Sequence, residues 1–277
     1  MSRPGLPRAG RSVPPLREVL APKEAIPRSI YLTASTVTVA GTLLLWCVLS
    51  YGGLVQTLFL PTPTQVLRAA VELASDGTLF THSTASVAVI LTGFLLASVL
   101  AVPLGILVGS FKIAEALVGP VVGFVRYLPV SAMIPLIILW VGIDFESRVT
   151  VIFIGTFFQQ VILVADVSAN VSKDLLEVSY TLGARPRHVL WRVLVPATLP
   201  GVMDTLRITI GWAWTYLVVA ELVAANEGLG YLILNSQRGL FTDRIFVGIL
   251  VIGLLGLATE TLFKSGHRVL LPWSPRV

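Results

Sequence analysis

Residues of the types that catalyse reactions or bind metals are few and scattered in this sequence. The three histidines, His82, His188 and His267, are far apart and show no metal-ligand spacing. Cys47, the only cysteine, lies in an apolar stretch, so the chain can form no internal disulfide. None of the four lysines follows a glycine, which argues against a phosphate-binding loop ending in Gly-Lys-Ser or Gly-Lys-Thr. The sequence therefore predicts no catalytic site, no metal, no cofactor and no ATPase of its own.

Ionisable residues inside long apolar stretches are stronger functional candidates, because placing a charge in a membrane is costly. Arg126 precedes Pro129 and Pro135 in such a stretch, and prolines bend a membrane helix and free backbone carbonyls. Arg126 could supply positive potential for an anion, form an ion pair, for instance with Asp166, or reach the cytoplasmic face. Glu221 could help to gate the outer end of a bundle, or simply make a polar contact between helices.

Polar and aromatic residues in two other apolar stretches have two interpretations. They either line a solute pathway or contact neighbouring helices and the membrane interface. The pathway candidates among them are Gln159, Trp212 and Thr215.

The elements that must position these residues are membrane helices. Of 277 residues, 55% are hydrophobic and 13% are charged, whereas about a quarter of a soluble domain is charged. Six apolar stretches are long enough to span a bilayer, and none alternates like a barrel strand. They cover about 31–50, 83–108, 117–143, 149–169, 203–225 and 245–263. The predicted fold is an all-α integral membrane bundle of six transmembrane helices.

Three further segments flank or interrupt these spans. Residues 1–30, rich in proline and arginine, are predicted to form a disordered basic cytoplasmic tail. The six-span domain covers 31–264, with a polar cytoplasmic loop at 170–200, and 265–277 form a cytoplasmic C-terminal tail. Between the first two spans, Thr62 and Pro63 fit the start of a short amphipathic helix on the membrane surface, which Gly77 ends.

The distribution of lysine and arginine sets the orientation. Fifteen of them fall on the side that holds both termini and the loop at 170–200, and four fall on the other side, leaving out Arg126. Because cytoplasmic loops of membrane proteins carry an excess of these residues, both termini and the long loop are predicted to be cytoplasmic. This bias also accounts for the net charge of +5 without a nucleic-acid partner.

The polar loop itself has helical spacing. Leucines and small residues of 174–184 fall on one arc and charged residues on the other, and Gly183 is predicted to end this helix. Pro186 fits the first turn of a second short helix that stops before Pro196. We interpret the pair as a compact unit at the membrane surface that contacts a soluble partner.

The spacing in this loop resembles the cytoplasmic motif of permease subunits of ABC importers. That motif reads EAA, three residues, G, nine residues, I-x-L-P. This chain matches the spacing throughout, with Glu177-Val178-Ser179, Gly183 and Val193-Leu194-Val195-Pro196. The replacements are all small or aliphatic, and they keep the face. The resemblance assigns coupling to an ATPase to Glu177, Val178, Ser179, Gly183, Ala184, Val193 and Pro196.

The resemblance extends over roughly 58–264 and points to the nitrate/sulfonate/taurine branch of these permeases. It implies a type I ABC importer permease fold in the bacterial inner membrane and a pathway shared with a second copy of the chain. Two cytoplasmic ABC ATPase subunits would use ATP and Mg, and a periplasmic or lipid-anchored binding protein would deliver the substrate. The implied cargo is a small anion of the sulfonate, taurine, nitrate or bicarbonate type.

Three other functions remain open at this point. The cargo could be a neutral heterocyclic nutrient, which the same branch also serves. The chain could instead be an ion-driven transporter or channel that works without an ATPase. A membrane-bound enzyme would need acid-base or metal residues that the fold brings together.

Overall fold

The computed structural model describes residues 26–273. Its helices, in chain order, are α1 (Arg28–Tyr51), α2 (Pro63–Ser75), α3 (Thr78–Ser110), α4 (Lys112–Val125), α5 (Val130–Val141), α6 (Phe145–Ala169), α7 (Lys173–Thr181), α8 (Pro186–Val189), a π-helical segment (Leu190–Leu194), α9 (Val195–Ala224), α10 (Leu229–Arg238) and α11 (Thr242–Leu270). They fall into two compact units that divide between Pro63 and Thr64. Most of the tail predicted at 1–30, and the last four residues, lie outside the described residues.

The helix α1 dominates the first unit. It is 24 residues long and apolar, and its side chains are mostly exposed, as in a helix that faces lipid. The hydroxyls of Thr33, Thr38 and Thr42 each donate to the carbonyl four residues earlier, so they need no partner outside the helix. Near its end, the Trp46 indole donates to the Pro61 carbonyl at 3.0 Å and holds the following loop against the helix.

The core of the second unit begins with α3 and α6, which run parallel and in close contact. Small residues recur every four positions along α3, and they are Gly93, Ala97, Ala101, Gly105 and Gly109. A Cβ added at Gly93 would lie 2.7 Å from the Ile152 Cβ, and one at Gly105 would lie 2.7 Å from the Val164 Cβ. Small residues at such an interface let the two helix backbones approach closely, where association depends on van der Waals packing.

The helix α9 crosses this pair in the opposite direction. Gly155 of α6 faces the Tyr216 ring and Gly201 faces Val167, so the order of contacts reverses along the two helices. Ala213 and Leu217 of α9 are fully buried in the core. We call the end where α3 and α6 finish and α9 begins the motif end. The opposite end is the far end.

The stretch predicted as one span over 117–143 is two helices. The chain bends by 97° at the break between α4 and α5. Pro129 stands at the break as the residue before α5, whereas Pro135 lies inside α5. A residue before a proline, and the proline's missing N–H, disfavour a continuous helix at this point.

The bent pair nevertheless crosses the unit. Since α3 finishes at the motif end and the parallel α6 begins at the far end, the chain between them must connect the two ends. Val122 of α4 packs with Ala101 and Val161, and Ile134 of α5 packs near the far end with Val151. Five single helices are long and apolar enough to span a membrane, and the bent pair makes the six that the sequence predicted within the described residues.

Short helices cover the far end. As predicted, α2 begins at Pro63, and Gly77, with φ of 80°, follows its last residue closely. The Thr78 backbone N–H donates to Asp76 Oδ1 at 2.9 Å, and this bond holds the pKa of Asp76 below its usual value. An ion pair of 3.1 Å between Arg244 and Glu72 then joins the first turn of α11 to α2.

The last helix, α11, returns to the motif end beside α9. The Trp214 indole donates to the Thr259 hydroxyl at 3.2 Å, and Arg207 pairs with Asp204 at 3.3 Å and with Glu260 at 3.9 Å. The helix continues to Leu270, beyond residue 264, where the sequence predicted the six-span domain to end.

Candidate functional site

The polar loop at 170–200, which we call the motif loop, contains α7, and the C-terminal end of this helix needs a glycine. Gly183 has φ of 80°, a left-handed conformation that disfavours residues with a Cβ. The N–H of Ala184 donates to the Ser179 carbonyl at 3.0 Å, and the N–H of Gly183 donates to Tyr180 at 2.9 Å. These two bonds form a Schellman motif, which satisfies the last carbonyls of α7. Gly183 therefore ends the helix, as its position in the sequence predicts.

The second helix of the loop differs from its prediction. It begins at Pro186 as expected, but it does not stop before Pro196. Instead α8, the π-helical segment and α9 form one helical stretch from Pro186 to Val223, 38 residues long. The N–H of Val195 bonds to the Leu190 carbonyl, so the wider π pattern ends directly before Pro196, and the proline without an N–H is accommodated in the first turn of α9.

One face of the motif loop is anchored to the bundle. Leu176 of α7 and Leu190 pack on a buried cluster formed by Ile106, Val164 and Leu194. This cluster contains residues of α3, α6 and the π-helical segment. A displacement of α7 is therefore resisted by the core rather than absorbed by a loose loop.

The other face of the motif loop is apolar and exposed. Leu182 is 82% exposed and Val178 is 56% exposed, and Trp191 of the π-helical segment is 63% exposed. Glu177 is exposed beside them and has no ion-pair or hydrogen-bond partner among the residues that the structure describes. Large apolar side chains outside the membrane spans mark a surface that another protein covers.

At the far end, Glu221 is fully buried and makes a polar contact between helices. Its Oε1 accepts from the Ser86 hydroxyl of α3 at 2.7 Å, and its Oε2 accepts from the Gly230 N–H at 2.8 Å. Ser86 in turn accepts from the Leu229 N–H at 2.9 Å. Gly228, with φ of 119°, packs so tightly on Glu221 that an added Cβ would collide with the carboxylate. We call Glu221, Ser86 and the turn at 228–230 the far-end latch.

Two further residues that sequence reasoning missed complete this latch. His82 Nδ1 accepts from the Gly228 N–H at 3.1 Å. Arg148, one of the four basic residues that the sequence predicts on the side opposite the termini, is buried and donates to the Glu227 carbonyl at 3.0 Å. The available sequence signal was the Gly-Leu-Gly turn after an intramembrane acid, since such an acid needs donors nearby.

The remaining pathway candidates do not converge on one site. Trp212 and Thr215 share an exposed face of α9, whereas Gln159 is half-buried on α6 and its neighbour Gln160 is buried and donates to Thr209 at 3.2 Å. The possible pair of Arg126 with Asp166 is not formed, because the guanidinium donates to the Tyr127 hydroxyl at 2.8 Å. No group of three or more His, Cys, Asp or Glu within residues 26–273 is arranged to hold a metal ion.

Comparisons with known proteins decide between the remaining functions. Residues 101–272 match the family described as binding-protein-dependent transport system inner membrane component. The chain belongs to this family. The taurine transport system permease protein TauC of Escherichia coli is 32% identical over 256 residues, which cover 91% of this chain and 93% of TauC. The formylaminopyrimidine transport permease protein ThiX of Halalkalibacterium halodurans is 33% identical over 218 residues, which cover 79% and 87%.

The fold agrees with that membership. A solved structure of the MetNI methionine ABC transporter in an inward-facing conformation superimposes with a TM-score of 0.55 at 20% identity, covering 65% of this chain and 92% of the other. The chain is thus a multi-pass inner-membrane permease of the type I ABC importer fold. As an ABC permease it is the transport subunit, its ATPase is a separate subunit, and it works with a substrate-binding protein. The ion-driven transporter and the enzyme are not favoured.

Proposed function

We propose that this permease forms a homodimer and imports a small anion, with a sulfonate as the leading cargo class, by alternating access. The similarity to TauC over 91% of the chain supports that class. The similarity to ThiX favours a neutral pyrimidine as the second candidate.

The observation that carries the mechanism is the continuous helical stretch from Pro186 to Val223. A separate short helix would have needed a joint to the fifth span, and a joint would lose part of any displacement. Here a partner that moves α7 also moves the start of α9 through Leu176 and Leu194. We infer that two cytoplasmic ABC ATPases, which use ATP and Mg, bind the exposed face of α7. The permease itself needs no cofactor.

The motif residues have distinct parts in this proposal. Val178 and the neighbouring Leu182 supply the apolar contact, and Glu177 offers a charge at its edge. Ser179 and Ala184 form the hydrogen bond that closes the helix at Gly183. Val193 belongs to the π-helical segment, and Pro196 begins α9.

Orientation follows from charge. Arg185, Arg187 and Arg192 lie in or directly after the motif loop, and Lys173 begins α7. By the positive-inside rule this end is cytoplasmic. The far end then faces the periplasmic or lipid-anchored binding protein. With α1 as a further span, both chain termini lie in the cytoplasm.

The pathway wall is proposed to include an exposed face of α9. Ile208, Gly211, Trp212 and Thr215 recur at helical spacing, and no described atom lies within 4 Å of a Cβ built on Gly211. A bare backbone and a hydroxyl suit close approach to a helix of the second copy, which would share the pathway, better than contact with lipid. Gln159 of α6 and the break at Pro129, with Pro135 beyond it, are the other wall candidates.

Reconstitution of the complex tests this function. Proteoliposomes that contain the permease, its ATPase and its binding protein are given radiolabelled taurine or labelled formylaminopyrimidine, with and without ATP. We expect ATP-dependent uptake of taurine, and none from the permease alone. Uptake of the pyrimidine only would favour the second candidate, and transport without the ATPase would overturn the proposal.

A further inference from the structure

Arg126 occupies the break between α4 and α5 at an intermediate depth in the bundle. Val122, one turn before it, packs with Ala101 and Val161. These two residues precede the motif ends of α3 and α6 by nine and eight residues, so Val122 lies about 12 Å inside that end at 1.5 Å per residue. On the other side of the break, Ile134 packs near the far end. Arg126 therefore lies within the thickness of the hydrocarbon layer.

No acidic residue within 26–273 compensates the charge of Arg126. Its guanidinium donates to the Tyr127 hydroxyl and lies 4.7 Å from the centre of that ring. Its Nε is buried and has no hydrogen-bond partner. Among residues 26–273, no carboxylate lies within ion-pair distance of it.

Three other arginines of the helical bundle form ion pairs with acidic residues. Arg148 approaches the Glu227 carboxylate at 3.9 Å, Arg207 contacts Asp204 and Glu260, and Arg244 contacts Glu72. An arginine at membrane depth normally pairs with an acid or faces water, because the unpaired charge is costly there. Arg126, half-buried and without an acidic partner within residues 26–273, is the exception, and its charge is available to an anion from outside the chain.

The break also leaves space and further donors for an anion. Tyr127 is 75% exposed and Leu128 is 37% exposed, so the wall beside the guanidinium is open. The backbone N–H groups of Val130 and Ser131, the first two of α5, lie at the same break, whereas that of Ala132 already donates to the Pro129 carbonyl at 2.9 Å. The planar fork of a guanidinium matches two oxygens of a sulfonate or carboxylate.

We propose that Arg126 binds the oxyanion group of the cargo during its passage, with Tyr127 orienting the guanidinium. This inference rests on the proposed import of an anion. It adds to that proposal a residue, a position in the pathway and the recognised chemical group.

The test compares a charged with a neutral ligand of the same shape. Binding of methanesulfonate and of methanesulfonamide to the purified permease–ATPase complex is measured by calorimetry. We expect wild type to prefer methanesulfonate by about tenfold or more, as for a charge-assisted contact. Arg126→Gln should remove the preference by weakening methanesulfonate only. Arg126→Lys should restore part of it, because an ammonium lacks the fork.

A control variant and a second test variant keep the test decisive. Arg268→Gln removes an exposed charge near the end of α11 and should leave both affinities unchanged. Tyr127→Phe, which removes only the orienting hydroxyl, should lower the preference by about threefold even if Arg126→Gln is poorly folded.

Two results would overturn the inference. The first is equal binding of the two ligands by wild type. The second is an unchanged preference in Arg126→Gln, and if that variant also loses the dimer, Arg126 is assigned to an acid of the second copy. If wild type instead shows no ATP-dependent taurine uptake in proteoliposomes, the proposed function fails separately.

Discussion

The two ends of the stretch from Pro186 to Val223 are built in opposite ways. At the motif end, α7 presents exposed leucine and valine side chains, and its glycine turn has open space around it. At the far end, the latch buries Glu221 completely and satisfies it with donors from α3 and from the next turn. The first end is left for another protein to complete. The second is completed by the chain itself. A displacement of the helix at the motif end is therefore opposed by the hydrogen bonds of the latch at the far end.

This comparison predicts that far-end substitutions reduce stability, whereas motif-end substitutions reduce coupling. The largest effect is expected for Gly228→Ala. The left-handed φ of 119° and the collision with Glu221 both act against the added methyl group. Strain and overpacking together should cost about 4 kcal/mol. The melting temperature of the purified permease measures this loss.

Gly53→Ala is the matched control for that substitution. Gly53 also has a positive φ, of 69°, but no described atom lies within 4 Å of an added Cβ. It should therefore lose only the strain, about 1 kcal/mol. Equal melting temperatures for the two variants would refute the tight packing on Glu221.

The next largest effect is expected for Glu221→Ala. It leaves the Ser86 hydroxyl and the Gly230 N–H without their acceptor in a buried site. Unsatisfied buried donors of this kind should cost about 2–3 kcal/mol together. Glu221→Gln keeps one acceptor oxygen and should cost less. If both variants have the melting temperature of the wild type, the latch does not stabilise the far end.

A smaller effect on stability is expected for Gly183→Ala in the motif loop. The methyl group meets open space, so only the φ of 80° opposes it, at about 1 kcal/mol. The Schellman bonds should loosen, and the ATPase rate of the assembled complex should respond less to the loaded binding protein. A stability loss as large as that of Gly228→Ala would remove the contrast between the two ends.

The smallest effect on stability, but a large one on assembly, is expected for Leu182→Glu. Because Leu182 is 82% exposed, the change should alter the free energy of unfolding by less than about 0.5 kcal/mol. Co-purification of the ATPase should nevertheless be lost. Val269→Glu, a change of an exposed valine near the same end of the bundle, should retain the ATPase. Normal co-purification with Leu182→Glu would show that the ATPase does not bind this face.

The features that could be predicted from the sequence are those set locally. Hydrophobic length predicted the spans, and the spacing from Glu177 to Gly183 predicted the end of α7, because a left-handed glycine turn depends on adjacent residues. The bundle architecture was confirmed by the family and the fold comparison.

The features that could not be predicted from the sequence depend on contacts between distant residues or on the local path of the backbone. Ser86 and Glu221 are 135 residues apart, and no pattern in either stretch predicts that the two side chains are in contact. The prolines at 129 and 135 indicated a bend, but the sequence did not show that the break lies at Pro129 rather than Pro135, or that its angle is 97°. Likewise, a proline at 196 suggested the end of a helix, and only the preceding π pattern shows why the helix continues.

The π-helical segment at Leu190–Leu194 contains one residue more per turn than an α-helix would need. Deleting one residue there would restore regular α-helical bonding and rotate the motif loop by about 100° around the axis of α9. The segment thus sets the direction in which the motif loop faces, around the axis of α9, relative to the membrane core. Such a rotation would also remove Leu176 and Leu190 from the buried cluster of Ile106, Val164 and Leu194, so the extra residue is what lets the docking surface and the anchored face of the motif loop form together.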